Sequence, residues 1–383
     1  AFWLGRGGDR EPQAVGVVAE ESATAADAAS AAESGVPAIV VLPFQNRGAS
    51  EDEYFADGMS EEITTRLAGV SGLRVVSSPS AMQYKENRPP LAQIAEELDV
   101  DYVLEGSVRW ARGEDGSRVR ITPQLVRTRD DTQIWAESYD RVLQDVFEMQ
   151  SEIASEVVTQ LGVNLLEPER EELEARPTES LEAYQAYLRG NFGQNSSDFS
   201  ESTRRRVLED FQAAVDLDPG FAEAWAALAH AQAFYYRLGY DFTDSRLEMA
   251  GQAYKRALAL DSESAVVLLH TGYYHYYAEQ DYEAALEKFL AASEAKPDDA
   301  DIIAASAYVW RRQGKLAEGI ERLEKAFELS PRNAQIPALI GEFEMMIRDY
   351  PKAVKAYDVA IAGAPDSYWP YLQKAQTIWL WTG

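Results

Sequence analysis

QDYEAALEKFLAASEAKP (residues 280–297), GKLAEGIERLEKAFELSP (314–331) and RDYPKAVKAYDVAIAGAP (348–365) are three versions of one pattern. Each closes on a proline, and Pro297, Pro331 and Pro365 fall 34 residues apart. A fixed period of this length marks stacked helix-turn-helix units, each burying one face within itself and one against its neighbour. Aligned on the prolines, Ala292, Ala326 and Ala360 share one slot, and Phe289, Leu323 and Tyr357 another three residues earlier. Ala285, Gly319 and Ala353 supply a small residue after the turn. Small residues let two helix backbones approach, and the large slot fills the space between units.

The pattern resembles the tetratricopeptide repeat family. Two looser copies lie upstream, ending at Asp216-Leu217-Asp218-Pro219 and Ala259-Leu260-Asp261-Ser262, with polar insertions around Gln194 to Ser202 and Arg237 to Asp244. After Pro365 one further helix fits, Trp369 to Trp381. A repeat that stops after its first helix leaves a face uncovered. Either the natural chain continues, or this edge, with Trp369, Trp379 and Trp381, packs on another subunit. The repeats are expected to form a concave groove from their first helices. Tyr235, Tyr273, Tyr276 and Trp310 are candidate partner-binding residues there, because tyrosine offers large contact area at low entropic cost. Tyr236, Tyr274 and Tyr277 are also available, although adjacent rings on a helix point about 100° apart and cannot all face one groove. The expected ligand is a protein, a peptide, a partner helix or a glycan.

Before the repeats the pattern alternates between strand and helix. Ala38 to Phe44 reads as a buried strand, Ser60-Glu61-Glu62-Ile63 as a capping box opening a helix, and Leu73 to Ser77 as a second strand. Leu91 to Leu98 reads as a helix. Tyr102 to Arg112 and Arg118 to Thr128 read as a hairpin around Glu114-Asp115-Gly116, with Gln133 to Tyr139 as another strand. Val146, Ile153, Val157 and Leu161 make a closing amphipathic helix. The expected fold is an α/β amino-terminal layer domain over 37–166, followed by an all-α tetratricopeptide-repeat solenoid over 167–383.

A second resemblance rests on Ile39-Val40-Val41-Leu42-Pro43-Phe44-Gln45-Asn46, Tyr54-Phe55-Ala56-Asp57-Gly58-Met59-Ser60-Glu61-Glu62 and Val103-Leu104-Glu105-Gly106-Ser107-Val108-Arg109. Arg120 to Leu125, Ile134 to Arg141 and Phe147 to Ala154 extend it. This stretch resembles the TolB amino-terminal-like domain. The resemblance implies a non-catalytic module on the outer side of a membrane, placed before tetratricopeptide repeats. In such architectures a kinase, a nucleotide cyclase or a winged-helix domain lies on the inner side. No glycine-rich loop, lysine strand or Asp-Phe-Gly site of a kinase occurs in these residues.

The 383 residues carry 64 Asp and Glu against 36 Lys and Arg, a formal net charge of −28, and no cysteine. Such a charge repels nucleic acid and anionic membranes, and the lack of cysteine removes thiolate chemistry and disulfides. Without a long apolar run, a membrane connection is expected only through a segment before Ala1, of which Ala1 to Arg6 would be the outer end. Residues 1–36 read as a tether or docking segment, with Ala14 to Ala19 as a strand added to a neighbour. The expected location is periplasmic or extracellular.

No catalytic or cofactor site is expected. His230, His270 and His275 read as packing or groove-lining residues, and Asp57, Glu61, Glu62 and Glu105 as capping and turn residues rather than an acid/base pair. Gly58, Gly106 and Gly116 read as places where the backbone turns. Calcium is the one metal that Asp298-Asp299-Ala300-Asp301 and Asp241 to Asp244 suggest, but neither stretch has an EF-hand layout and helix capping explains both. Arg109, Arg112, Arg118, Arg120, Arg127 and Arg129 form the one basic cluster, suited to pairing with carboxylates within or between subunits. The expected role is a non-enzymatic extracytoplasmic scaffold or sensor. The alternative is a structural subunit of an extracellular filament or tube, joined through the aromatic last repeat and the amino-terminal segment.

Overall fold

The computed structural model describes residues 36–383 apart from 114, 115, 143, 144, 197, 298 and 366. The expected tether, its Ala14–Ala19 strand and Asp298 of the acidic turn lie outside the described residues.

A mixed sheet opens the described chain. β1 (Ala38–Val41), β2 (Gln45–Asn46) and β3 (Arg74–Val75) run parallel to their neighbours, with β1 between β3 and the first half of β4 (Tyr102–Gly113) and β2 beside the second half. β4 pairs antiparallel with β5 (Gly116–Arg127), which also pairs with β6 (Thr132–Ala136) and β7 (Tyr139–Val142). β1 is buried throughout, which is why it reads as a continuous apolar run. Ile39 and Val41 point into a core with Leu104, Val108, Val119, Ile121 and Leu125. That face is covered by α1 (Glu53–Ala68) and α4 (Val146–Gln160). Val40, Leu42 and Val103 point the other way, under α2 (Ser78–Met82) and α3 (Leu91–Leu98).

One expected boundary is corrected. Ser60 does not open α1; the helix begins at Glu53 and Ser60 lies buried inside it, its Oγ donating to Ala56 O and accepting from Phe44 N at 2.8 Å. Gly58, expected at a turn, lies inside α1, and it is glycine because a Cβ there would lie 2.7 Å from the Leu188 side chain. Asp57 is likewise a buried helical residue paired with Lys85. Gly106 sits within β4, where a Cβ would meet the Phe44 ring and Thr122 O at 3.0 Å.

α5 (Glu167–Glu174) links this layer to the array. Glu169 accepts from Ser71 N and Leu166 N, and Arg66 donates to Leu173 O and Ala175 O. Helical hairpins follow: α6 (Leu181–Gln194) with α7 (Glu201–Leu217), α8 (Ala222–Arg237) with α9 (Asp244–Leu260), and α10 (Ala265–Tyr274) with α11 (Tyr282–Ala295). Next come α12 (Ala300–Gln313) with α13 (Leu316–Leu329), α14 (Gln335–Met346) with α15 (Tyr350–Gly363), and a last helix, α16 (Tyr368–Thr382). This is a tetratricopeptide-like solenoid. Every slot of the 34-residue pattern is buried, from Ala285, Phe289 and Ala292 to Ala353, Tyr357 and Ala360. The polar insertions fall in the turns before α7 and α9, where Ser200 and Thr243 cap the helices.

The array curls back onto the sheet layer. Ser330, after α13, bonds through its Oγ to those of Ser77 and Ser80, across about 250 residues of chain. Arg332 pairs with Glu97 of α3, and its carbonyl accepts from Gln83. At the other end α6 packs on α1, and Glu223 of α8 and Asp301 of α12 come near Glu62 and Glu61 of α1, so α8 and α12 turn one face towards α1 and the space between them is a cleft.

Candidate functional site

The lining of that cleft follows from helical spacing. His230 and Phe234 on α8 are four apart, and His270, Tyr273 and Tyr277 recur at three and four residues, so each set shares one helix face. The two faces meet: His230 stacks on Tyr273 with ring centroids 4.5 Å apart and planes 14° apart, and Phe234 lies 5.1 Å from Tyr277. His230 Nδ1 and His270 Nδ1 are 3.0 Å apart, one donating to the other. Tyr308 of α12 continues the row, 6.4 Å from Tyr273. Arg311 and Glu342 pair between α12 and α14, and Trp369 Nε1 of α16 donates to Glu342 at 3.3 Å.

After Tyr274 the α10 backbone widens into a π turn, His275–Glu279, which ends at Gln280 with φ of 54°. Such turns accommodate one extra residue and are frequent at functional sites. The turn is held by His275 Nδ1 against Glu279 Oε2 at 2.7 Å and by Tyr274 OH donating to Glu279 at 3.0 Å.

Carboxylates extend the same helix faces: Glu223 lies seven residues before His230 on α8, Asp301 seven before Tyr308 on α12, and Glu61 and Glu62 of α1 come near both. Burial raises Glu61 of α1 to about 7, helped by repulsion from Glu62, Asp57 and Asp299. Asp301 rises to about 7 through burial and the charges of Asp299 and Glu61, although Asn333 donates to it at 2.9 Å. Glu223 of α8 rises to about 7 through burial and then the charge of Glu62. All three residues are half-buried and keep some contact with water. Burial also holds His230 well below the usual imidazole range and His270 at about 4, which keeps both rings neutral at neutral pH.

The sequence-nominated residues divide. Tyr273 lies in the row. Tyr235 and Tyr276 are only 5% and 6% exposed. They pack inward between helices, Tyr235 beside Tyr240 and under Arg246, Tyr276 between Tyr282 and Tyr308. Trp310 packs under Arg322 of the following helix. Trp369 meets Glu342 at the rim, whereas Trp379 and Trp381 are 68% and 51% exposed on α16. The sequence reading passed over Phe234 and Tyr308 as groove residues and did not connect Glu61, Glu223 and Asp301 across the cleft. Spacing along each helix exposes the first two; only the fold reveals the carboxylates.

Among the described residues no group of three or more His, Asp or Glu is placed to hold a metal ion. Asp299 caps α12, accepting from Asp301 N and Ile302 N, and Asp241 accepts from Thr243 and Arg246. No helix among the described residues is long and apolar enough to cross a membrane.

Comparison with known proteins gives a match over residues 35–156 to the HilA/YgeH-like transcriptional regulator, second domain. That stretch covers nearly all of the sheet layer. A putative adenylate cyclase 3 of Rhizobium meliloti (strain 1021) is 40% identical over 199 residues, 50% of this chain and 32% of that protein. The type IV pilus assembly protein PilF of Pseudomonas aeruginosa is 28% identical over 152 residues, 39% of this chain and 56% of PilF. The chain therefore spans about a third and just over half of the lengths of these relatives. Among solved structures, a thermophilic TPR protein of Thermus thermophilus superposes with a TM-score of 0.44 at 16% identity, covering 51% of this chain and 99% of that one.

Proposed function

We propose that the chain is a non-catalytic protein-interaction module whose cleft takes an extended peptide segment carrying Lys or Arg. The observation that carries this reading is the aromatic row of His230, Phe234, Tyr273, Tyr277 and Tyr308 continuing into Glu223 and Asp301 on the same helix faces, with Glu61 of α1 near Asp301. Rings supply contact area and π faces for cations, and carboxylates that repel one another gain when a cation comes between them. A fluorescein-labelled peptide of alternating Lys and Phe, followed by anisotropy at pH 8, tests it. The expected result is saturable binding, weakened about tenfold by Tyr273→Ala, and none for the same peptide with Glu replacing Lys. Equal binding of both peptides would remove the charge argument, and indifference to Tyr273→Ala would remove the cleft.

The TolB-like reading of the sheet layer favours a place outside the cytoplasm, as one arm of a larger signalling protein. The cyclase-named relative, of which this chain matches a third, is compatible with that architecture. Alkaline phosphatase fused after Gly383 should be active in cells; an inactive, stable fusion would reject this placement.

A second reading is self-assembly through α16. Tyr368, Tyr371 and Trp379 are exposed on one side of α16, and Trp381 is exposed near its end.

A further inference from the structure

The sheet has a second, opposite kind of surface. Along β4 and β5 the side chains alternate, so Val108, Val119 and Ile121 enter the core while Ser107, Arg109, Arg120 and Thr122 point to the other side. The helices α2 and α3 cover that side only at the Val103 end. Beyond them, Arg47, Ser107, Arg109, Arg120 and Thr122 line a depression of about 350 Å³.

Its electrostatics run against the rest of the chain. Arg109 and Arg120 are direct cross-strand partners, an arrangement in which like charges destabilise a sheet. Arg47 joins them from the end of β2, its N donating to Val108 O at 2.7 Å. Arg120 shares Asp140 with Arg118. Arg47 bonds only the neutral Gln45, and Arg109 has no carboxylate partner among the described residues. In a chain with 64 acidic side chains, two guanidiniums without a carboxylate partner beside two hydroxyls make a positive concavity.

We propose that this depression binds a tetrahedral oxyanion, free or as a phosphate monoester. Guanidinium forks match such oxygens bidentately, and the Ser107 and Thr122 hydroxyls, opposite each other across the strands, add neutral donors between the cations. Asp140 competes for Arg120, so it is the internal brake on affinity.

The test is a ³¹P NMR line-broadening titration of the full chain in low-chloride buffer, with inorganic phosphate and with glycerol 3-phosphate. Saturation with a dissociation constant of about 1 mM is expected. Arg109→Gln and Arg47→Gln should each weaken binding about tenfold, Asp140→Asn should strengthen it about threefold, and Arg74→Gln, elsewhere on the sheet, should change nothing. Tighter binding of glycerol 3-phosphate than of phosphate assigns the site to esters, and equal binding to the free ion. If an arginine variant fails to fold by circular dichroism, Thr122→Val keeps the charges and should still weaken the site. Absence of saturation, or equal binding by folded Arg109→Gln and parent chains, overturns the proposal.

Discussion

Glu61 and His230 face one cleft, and the carboxylates and imidazoles there push the folded state in opposite directions as pH changes. Glu61 has a folded pKa of about 7 against 4.5 for the free side chain, and Asp301 about 7 against 3.8. Between those values the folded chain holds more protons than the unfolded one. Their stabilising contribution is therefore complete below about pH 4 and lost as pH rises through about 7. His270, at about 4 against 6.5, does the reverse, and stability falls as pH drops from 6.5 towards 4. Glu61→Gln should accordingly raise stability at pH 8 by about 1–3 kcal/mol, discounted for its contact with water, and by about a quarter of that at pH 5. Urea unfolding at both pH values checks this, and an equal gain at both would mean that charge is not the source. The same substitution should weaken the Lys-Phe peptide, because a binding site is where a protein tolerates repulsion that it would relieve elsewhere.

At the scale of elements, glycines inside helices set how closely hairpins close. A Cβ on Gly272 would lie 2.5 Å from the Phe289 ring, and one on Gly341 2.6 Å from that of Tyr357. Helix propensity alone would favour alanine at such positions by about 1 kcal/mol. Gly341→Ala is instead expected to destabilise by about 1–3 kcal/mol, since the Tyr357 ring is fully buried and has no room to retreat. Adding Tyr357→Leu should recover part of that loss, a non-additivity visible in a double-mutant cycle by thermal unfolding. Additive losses would place the strain elsewhere. The repeat period was legible because it is a pattern of residue types at fixed spacing. Gly58 was misread as a turn because a helical glycine in tight contact and a turn glycine look alike until the neighbour, here Leu188 from 130 positions further on, is known.

For the whole molecule, the array curls back through Ser330 and Arg332 onto α2 and α3, and among the described residues the arginine-lined depression and two further surfaces are exposed. One is the cleft; the other is the outer face of α16. If copies join through α16, a Trp379→Ser, Trp381→Ser double variant should sediment as a monomer at concentrations where the parent associates, with its far-ultraviolet circular dichroism unchanged. Association surviving that change would leave the α16 face without this role. The charge of −28 is composition, and the main strands and helices and the small and aromatic slots of the repeats followed from residue types and their spacing, because those depend on neighbours within a turn or two. The meeting of Glu61 with Asp301, of His230 with His270 and of Arg47 with Arg109 did not. Such encounters depend on how far the solenoid bends and where the sheet leaves a face uncovered, and both are set by contacts between residues far apart in the chain.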